Sequence, residues 1–125
     1  METFTLTWKR SRKPRNQIKY RLRAPLHIKL KFTRSSLSKD LKKKYGKDSI
    51  GLRKGDKVKI MRGKFKKHEG KVERIDLKKT RVFVSGTEIT KKDGTKKLVP
   101  LHPSNLIITE LNLDDKLRQE ILSRK

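Results

Sequence analysis

The sequence predicts a mainly β fold: a small barrel, preceded by a basic N-terminal extension that contains a short helix and followed by a C-terminal helix. Three observations carry this. Short segments between residues 53 and 110 alternate apolar and polar side chains, the period of a half-buried strand. The chain carries 37 Lys+Arg against 13 Asp+Glu, a net +24, and the first 54 residues alone hold +15 of it. Only 31% of the 125 residues are apolar and 40% are charged. Ordering each residue costs ~1.5 kcal/mol that burial must offset, so one small core with long, poorly buried extensions is expected.

The elements follow in order. Residues 1–35 form a basic arm with no acidic side chain between Thr3 and Lys39. Its apolar residues are separated by Arg and Lys, and Pro14 and Pro25 interrupt it, so it reads as an extended arm that orders on a polyanion. A tail kept only for solubility would be better served by Asp and Glu. Residues 36–52 hold a short helix and a connector. Leu37, Leu41 and Tyr45 make one apolar stripe, Ser36 stands as N-cap, and Gly46 as a left-handed C-cap. Lys42, Lys43 and Lys44 fall in the last turn, where the helix dipole favours cations.

Residues 53–110 supply five short strands, enough for a small barrel. "DKVKIM" places Val58 and Ile60 on one face. "KVERID" carries Val72 and Ile75, whose odd spacing predicts a bulge or strong bend. "TRVFVSG" turns Val82 and Val84 inward, with Arg81 and Phe83 on the other face. Asp93-Gly94 in "KKDGTKK" is a hairpin turn signal. "KLVPLH" and "NLIITEL" complete the set. Asp56 is expected to serve the turn before the first strand through side-chain hydrogen bonds. Residues 111–125 predict the final helix, capped by Asn112, with Asp114 and Asp115 in its first turn and Leu113, Leu117 and Ile121 as its apolar face.

The segment "GKFKKHEGKV" tests a nucleotide-binding reading. A phosphate-cradling loop needs four residues between its glycines, Ser or Thr after the lysine, and a following helix. Here six residues separate Gly63 from Gly70, Val72 follows Lys71, and a strand comes next. The segment is instead a strand–loop–strand turn, with Gly63 and Gly70 in backbone angles closed to other residues. Lys64, Lys66, Lys67 and His68 are displayed for phosphate contacts, and Phe65 is either tucked under the barrel or free to stack on a base.

"GDKVKIMRGKFKKHEGKVERID" resembles the KOW motif of RNA-associated small barrels. With "APLHIKLKF", "LSKDLKKKYG", "LRKGDKVKI" and "PLHPSNLIITELNLDDKLRQEIL" in this order, residues 11–124 resemble the archaeal and eukaryotic large-subunit ribosomal protein twenty-four family, called twenty-six in eukaryotes. Lys67 departs from it, standing where the family commonly has glycine. The resemblance implies an SH3-like barrel. It also implies a structural constituent of the cytoplasmic large subunit that binds large-subunit ribosomal RNA in its 5′ domain, early in assembly, beside neighbouring large-subunit proteins near the peptide exit tunnel. By matching positions, Arg12, Lys13, Arg15, Lys19, Arg21, Arg23, His27, Lys29, Lys31 and Arg34 thread RNA. Arg62, Lys64, Lys66, Lys67 and His68 meet its backbone. His102, Ser104 and Asn105 reach RNA or shape the turn between two strands.

Other classes are disfavoured. No cysteine is present, which excludes disulfides and thiolate metal sites. His27, His68 and His102 are scattered, Asp114 and Asp115 read as helix residues, and no Ser sits in a nucleophile elbow. No enzyme, cofactor, metal or small-molecule substrate is expected. Apolar runs are too short to span a bilayer, and the N-terminus lacks a signal peptide's apolar block, so no membrane insertion is expected. A KOW transcription elongation factor, bound to RNA polymerase and nascent RNA, is the second reading; the basic arm in place of a separate α/β domain argues against it. A DNA-compacting protein is the third.

Overall fold

Val58 and Ile60, the alternating pair of the first expected barrel strand, are fully buried, and the sheet is built around them. The computed structural model describes residues 4–124; the first three residues of the arm and Lys125 of the tail lie outside them. Eight strands form: β1 (Arg34–Leu37), β2 (Ser49–Gly51), β3 (Lys57–Ile60), β4 (Glu69–Asp76), β5 (Arg81–Val84), β6 (Glu88–Thr90), β7 (Lys96–Leu98) and β8 (Leu106–Glu110). Six of them make one sheet in the order β2-β1-β8-β3-β4-β5. β6 and β7 form a separate hairpin around Asp93-Gly94.

The sheet curls because β4 serves two partners. Lys71 and the residues before it pair with β3, and Val72 onward pairs with β5. The register shifts between Val72 and Arg74, the bend expected from the odd Val72/Ile75 spacing. β5 then meets the segment leading to β8 through the antiparallel bridge Val82–Leu101. A short 3₁₀ turn at Pro103–Asn105 carries the chain into β8, which lies antiparallel to β3. The result is an SH3-like barrel around Val58, Ile60, Val72, Val82, Val84, Leu106 and Ile108.

Three of the eight strands, β1, β2 and β6, fall outside the five expected. β1 and β2 come from the arm's end and the connector, where short polar runs such as Arg34-Ser35-Ser36 lack a strand period. Tertiary context supplies the partner: β1 runs parallel to β8, pairing Ser36 with Ile107 and Leu37 with Ile108. Leu37 is therefore a core residue and not the start of a helix. The short helix begins two residues later than expected, as α3 (Lys39–Tyr45) below, with Ser38 as its cap and Gly46 as the left-handed C-cap.

The arm is helical rather than extended. A 3₁₀ turn at Leu6–Arg10 is followed by α1 (Pro14–Arg23) and α2 (Leu26–Phe32). The two prolines do not interrupt helix but start it: Pro14 is the first helical residue of α1 and Pro25 is the N-cap of α2, where a missing N–H costs nothing. Tyr20, Ala24 and Ile28, four apart, are buried in a second small core, with the half-buried Phe4, Trp8 and Phe32 packed against it. Phe4 and Phe32 both pack on Tyr20, at ring distances of 5.1 and 6.1 Å. The Gln17 amide donates to the Ser11 carbonyl (2.7 Å) and the Trp8 carbonyl (3.1 Å), fastening α1 to the turn before it.

The final helix, α4 (Lys116–Ser123), starts late and faces differently from the expectation. Asp115, not Asn112, caps it. Arg118 and Leu122 point into the molecule, while Leu113, Leu117 and Ile121 are exposed. Arg118 reaches the buried Asp56 with both terminal nitrogens, at 2.6 and 2.7 Å. A buried carboxylate that needs a cation outweighs the helix's own apolar stripe.

Gly70 has no positive φ, contrary to expectation; space requires it instead. A Cβ there would lie 2.6 Å from the Ser85 carbonyl oxygen across the β4–β5 pair. Gly70→Ala is expected to destabilise the fold by roughly 1–3 kcal/mol. Urea denaturation measures it, and an unchanged midpoint would refute the close approach.

Candidate nucleic-acid interface

The loop joining β3 to β4 is held by its own backbone. Ile60 N–H donates to the His68 carbonyl (2.9 Å), Lys67 N–H to the Ile60 carbonyl (2.8 Å), and His68 N–H to the Phe65 carbonyl (3.0 Å). Phe65 packs on the barrel core, so it is tucked under rather than free to stack. Arg62, Lys64, Lys66 and Lys67 are exposed around it. Gly63 has φ 94°, which a side chain would strain. His68 is half-buried, its Nε2 donating to the Ser85 carbonyl at 3.0 Å, so this ring braces the loop against the turn after β5.

Lys67 takes φ 71°, a left-handed angle that costs a side-chain residue ~1 kcal/mol. The backbone therefore keeps a glycine-like shape with lysine in place. Lys67→Gly is expected to stabilise the fold by about 0.5–1 kcal/mol while removing one exposed cation. Guanidinium denaturation checks the first effect; a lowered midpoint would show that the lysine side chain has a stabilising contact.

The turn at residues 102–105 sits beside this loop, because Met61 N–H donates to the Asn105 carbonyl (2.8 Å). It also sits beside the arm's end, because the buried Ser35 hydroxyl donates to the Pro103 carbonyl (2.6 Å). His102 Nδ1 lies 2.7 Å from Ser104 Oγ and accepts from Ser104 N–H (3.3 Å), so both residues shape the turn. Burial, then the guanidinium groups of Arg81 and Arg21, hold His102 below the ordinary imidazole value. It is neutral at pH 7 and can offer a hydrogen bond but no charge. Arg81, from β5, stands near His102 as well, a neighbourhood that no spacing in the sequence indicates.

In the arm, Arg12, Lys13, Arg15, Arg21, His27, Lys31 and Arg34 are exposed, whereas Lys19, Arg23 and Lys29 are half-buried. The Lys19 ammonium lies 5.9 Å from the Trp8 ring centroid, and Lys29 donates to the Leu22 carbonyl (3.3 Å). These two lysines are thus partly committed to the arm's own packing. Elsewhere, Lys57 donates to Glu110 at 3.0 Å, and that hydrogen bond holds its ammonium above the ordinary lysine value. Lys42 and Lys59 pair with Asp48 and Glu69. Lys42, Lys57 and Lys59 are thus partly neutralised by acidic neighbours. Among the described residues no group of three or more His, Cys, Asp or Glu could hold a metal ion, and no helix is long and apolar enough to cross a membrane.

Comparison with known proteins gives consistent matches. The family described as ribosomal proteins, L26 in eukaryotes and its archaeal counterpart twenty-four, matches residues 11–125. A protein of Methanosphaera stadtmanae named large ribosomal subunit protein uL24 is 48% identical over 115 residues, covering 92% of this chain and 98% of the relative. A protein of the same name from Korarchaeum cryptofilum is 47% identical over 116 residues, covering 93% of this chain and 88% of the relative.

Proposed function

Because the chain belongs to the family of ribosomal proteins called L26 in eukaryotes and twenty-four in archaea, we propose that it acts there as a structural constituent, not an enzyme, by binding large-subunit ribosomal RNA. It works within the cytoplasmic large subunit, beside neighbouring large-subunit proteins. The observation that carries the binding mode is convergence. The arm's end, the β3–β4 loop and the turn at residues 102–105, remote in sequence, are hydrogen-bonded into one region. That region joins an arm with no acidic side chain between Thr3 and Lys39 to a loop with four exposed cations.

Arg12, Lys13, Arg15, Arg21, Arg34, Arg62, Lys64, Lys66 and Lys67 meet phosphates, and Arg81 joins them. Lys19, Arg23, His27, Lys29 and Lys31 line the arm's RNA path. His68, His102, Ser104 and Asn105 act mainly by setting the shape of the loop and turn. Phosphate contacts of this kind fix position and supply most of the affinity. The site on RNA is the 5′ domain, engaged early in assembly, on the subunit face near the exit tunnel. Cross-linking in cells tests this: recovery of large-subunit RNA is expected, together with co-sedimentation with large subunits at high salt. Recovery of chromosomal DNA, or of nascent RNA with free polymerase, would overturn it.

A further inference from the structure

Helix α1 carries two apolar series at four-residue spacing, and only one of them is used inside the molecule. Tyr20 and Ala24 face the arm's small core. Ile18 and Leu22 face outward and are 59% and 71% exposed. At roughly 100° per residue, Pro14, Ile18, Leu22 and Arg15 occupy successive directions across the outer face, with Arg21 on its other edge. Arg15 and Arg21 are exposed as well. The outer face of α1 is thus an apolar ridge one side chain wide, with a guanidinium on each side. A helix face meant only for water would be polar there.

The flanking charge selects the occupant. No acidic side chain lies between Thr3 and Lys39, so the surface that covers this ridge is anionic. A membrane-surface helix would present a broad apolar face with aromatic anchors. On α1 the ridge is narrow, although Leu26 and Leu30 of α2 are exposed too, and the arm's aromatic rings, Trp8 among them, pack against its own core instead of standing out as anchors. Double-stranded RNA fits better. Its minor groove is wide and shallow, displays ribose 2′-hydroxyls and base edges, and is bordered by two rows of phosphates. Building on the RNA-binding reading above, we propose that α1 lies along an RNA minor groove, with Ile18 and Leu22 against the riboses and Arg15 and Arg21 reaching the phosphates on either side. In this arrangement apolar contact adds affinity that salt does not screen.

The test uses the full chain and a short RNA duplex, with a DNA duplex of the same sequence for comparison. Both ridge residues are exposed, so Ile18→Ser/Leu22→Ser is expected to keep the melting temperature. The double substitution is expected to weaken RNA-duplex binding roughly ten-fold while the dependence of log Kd on log salt keeps its slope. DNA binding, driven by charge alone, is expected to stay unchanged. Unchanged RNA affinity would overturn the proposal, as would an equal loss for DNA, or a loss accompanied by a smaller salt slope. Loss of binding to anionic vesicles with RNA affinity intact would overturn it in favour of a membrane surface. If the unsubstituted chain binds no RNA, the reading of the previous subsection fails first; if it binds RNA and the ridge substitution has no effect, only this proposal fails.

Discussion

Arg118→Leu is expected to destabilise the protein by about 3–5 kcal/mol, a large fraction of a small domain's stability. Asp56 is fully buried and accepts four hydrogen bonds. The Arg118 guanidinium supplies two of them, Asn112 N–H one at 2.9 Å, and Arg53 N–H one at 2.9 Å. Arg118 also donates to the carbonyls of Asn112 (2.8 Å) and Gly51 (3.1 Å). One side chain of α4 therefore ties together β2, the turn before β3 and the chain after β8. Leucine keeps much of the volume but leaves a buried carboxylate without its cation, and that uncompensated charge dominates the cost. Chemical denaturation measures it. In an Asp56→Asn background the same substitution is expected to cost much less, because the charge is already gone. A loss below about 1 kcal/mol for Arg118→Leu alone, the range of surface pairs, would refute the role of the pair.

Replacing Arg12, Lys13, Arg15 and Arg21 together by alanine is expected to weaken RNA binding at least 100-fold at low salt and to lower the salt slope by about 3–4. All four are exposed, so the melting temperature is expected to hold. Replacing the acid-paired Lys42, Lys57 and Lys59 instead is expected to change the slope little. Point substitutions are the sharper instrument here. Deleting residues 1–34 would also remove the Tyr20 core and the first residue of β1. An unchanged slope in the four-residue variant would show that the arm does not lie on phosphates.

Much of the barrel is legible in the sequence because strand alternation needs only near neighbours. Val58 and Ile60, the bend after Val72, Val82 and Val84, and the Asp93-Gly94 hairpin all follow from spacing of a few residues. The loop's lysines are legible for the same reason; the glycine-like position of Lys67 is marked only by the family resemblance, and its left-handed backbone only by the structure. The arm's helices are not legible, because two four-spaced apolar series, Ile18–Leu22 and Tyr20–Ala24–Ile28, overlap among arginines and lysines and blur a single helical period. Its prolines look like breaks in the sequence, although at a helix start they act as openings. The face of α4 is hidden too: Leu113, Leu117 and Ile121 form the better stripe on paper, while Asp56 lies 62 residues away from the arginine that it needs.

The sequence by itself determined the charge and its distribution, the alternating strands and the glycine-bracketed basic loop. These depend on composition and on spacings within one turn or hairpin. Only the tertiary structure decided the strand partners of β1, the inward turn of Arg118, the second core in the arm, and the meeting of arm, loop and the turn at residues 102–105. All but the arm's core, which gathers residues 4–32, join residues far apart in the chain. What settles them is the requirement that a buried charge find its counter-charge, and that a strand edge or an apolar ring find a partner wherever the fold brings one.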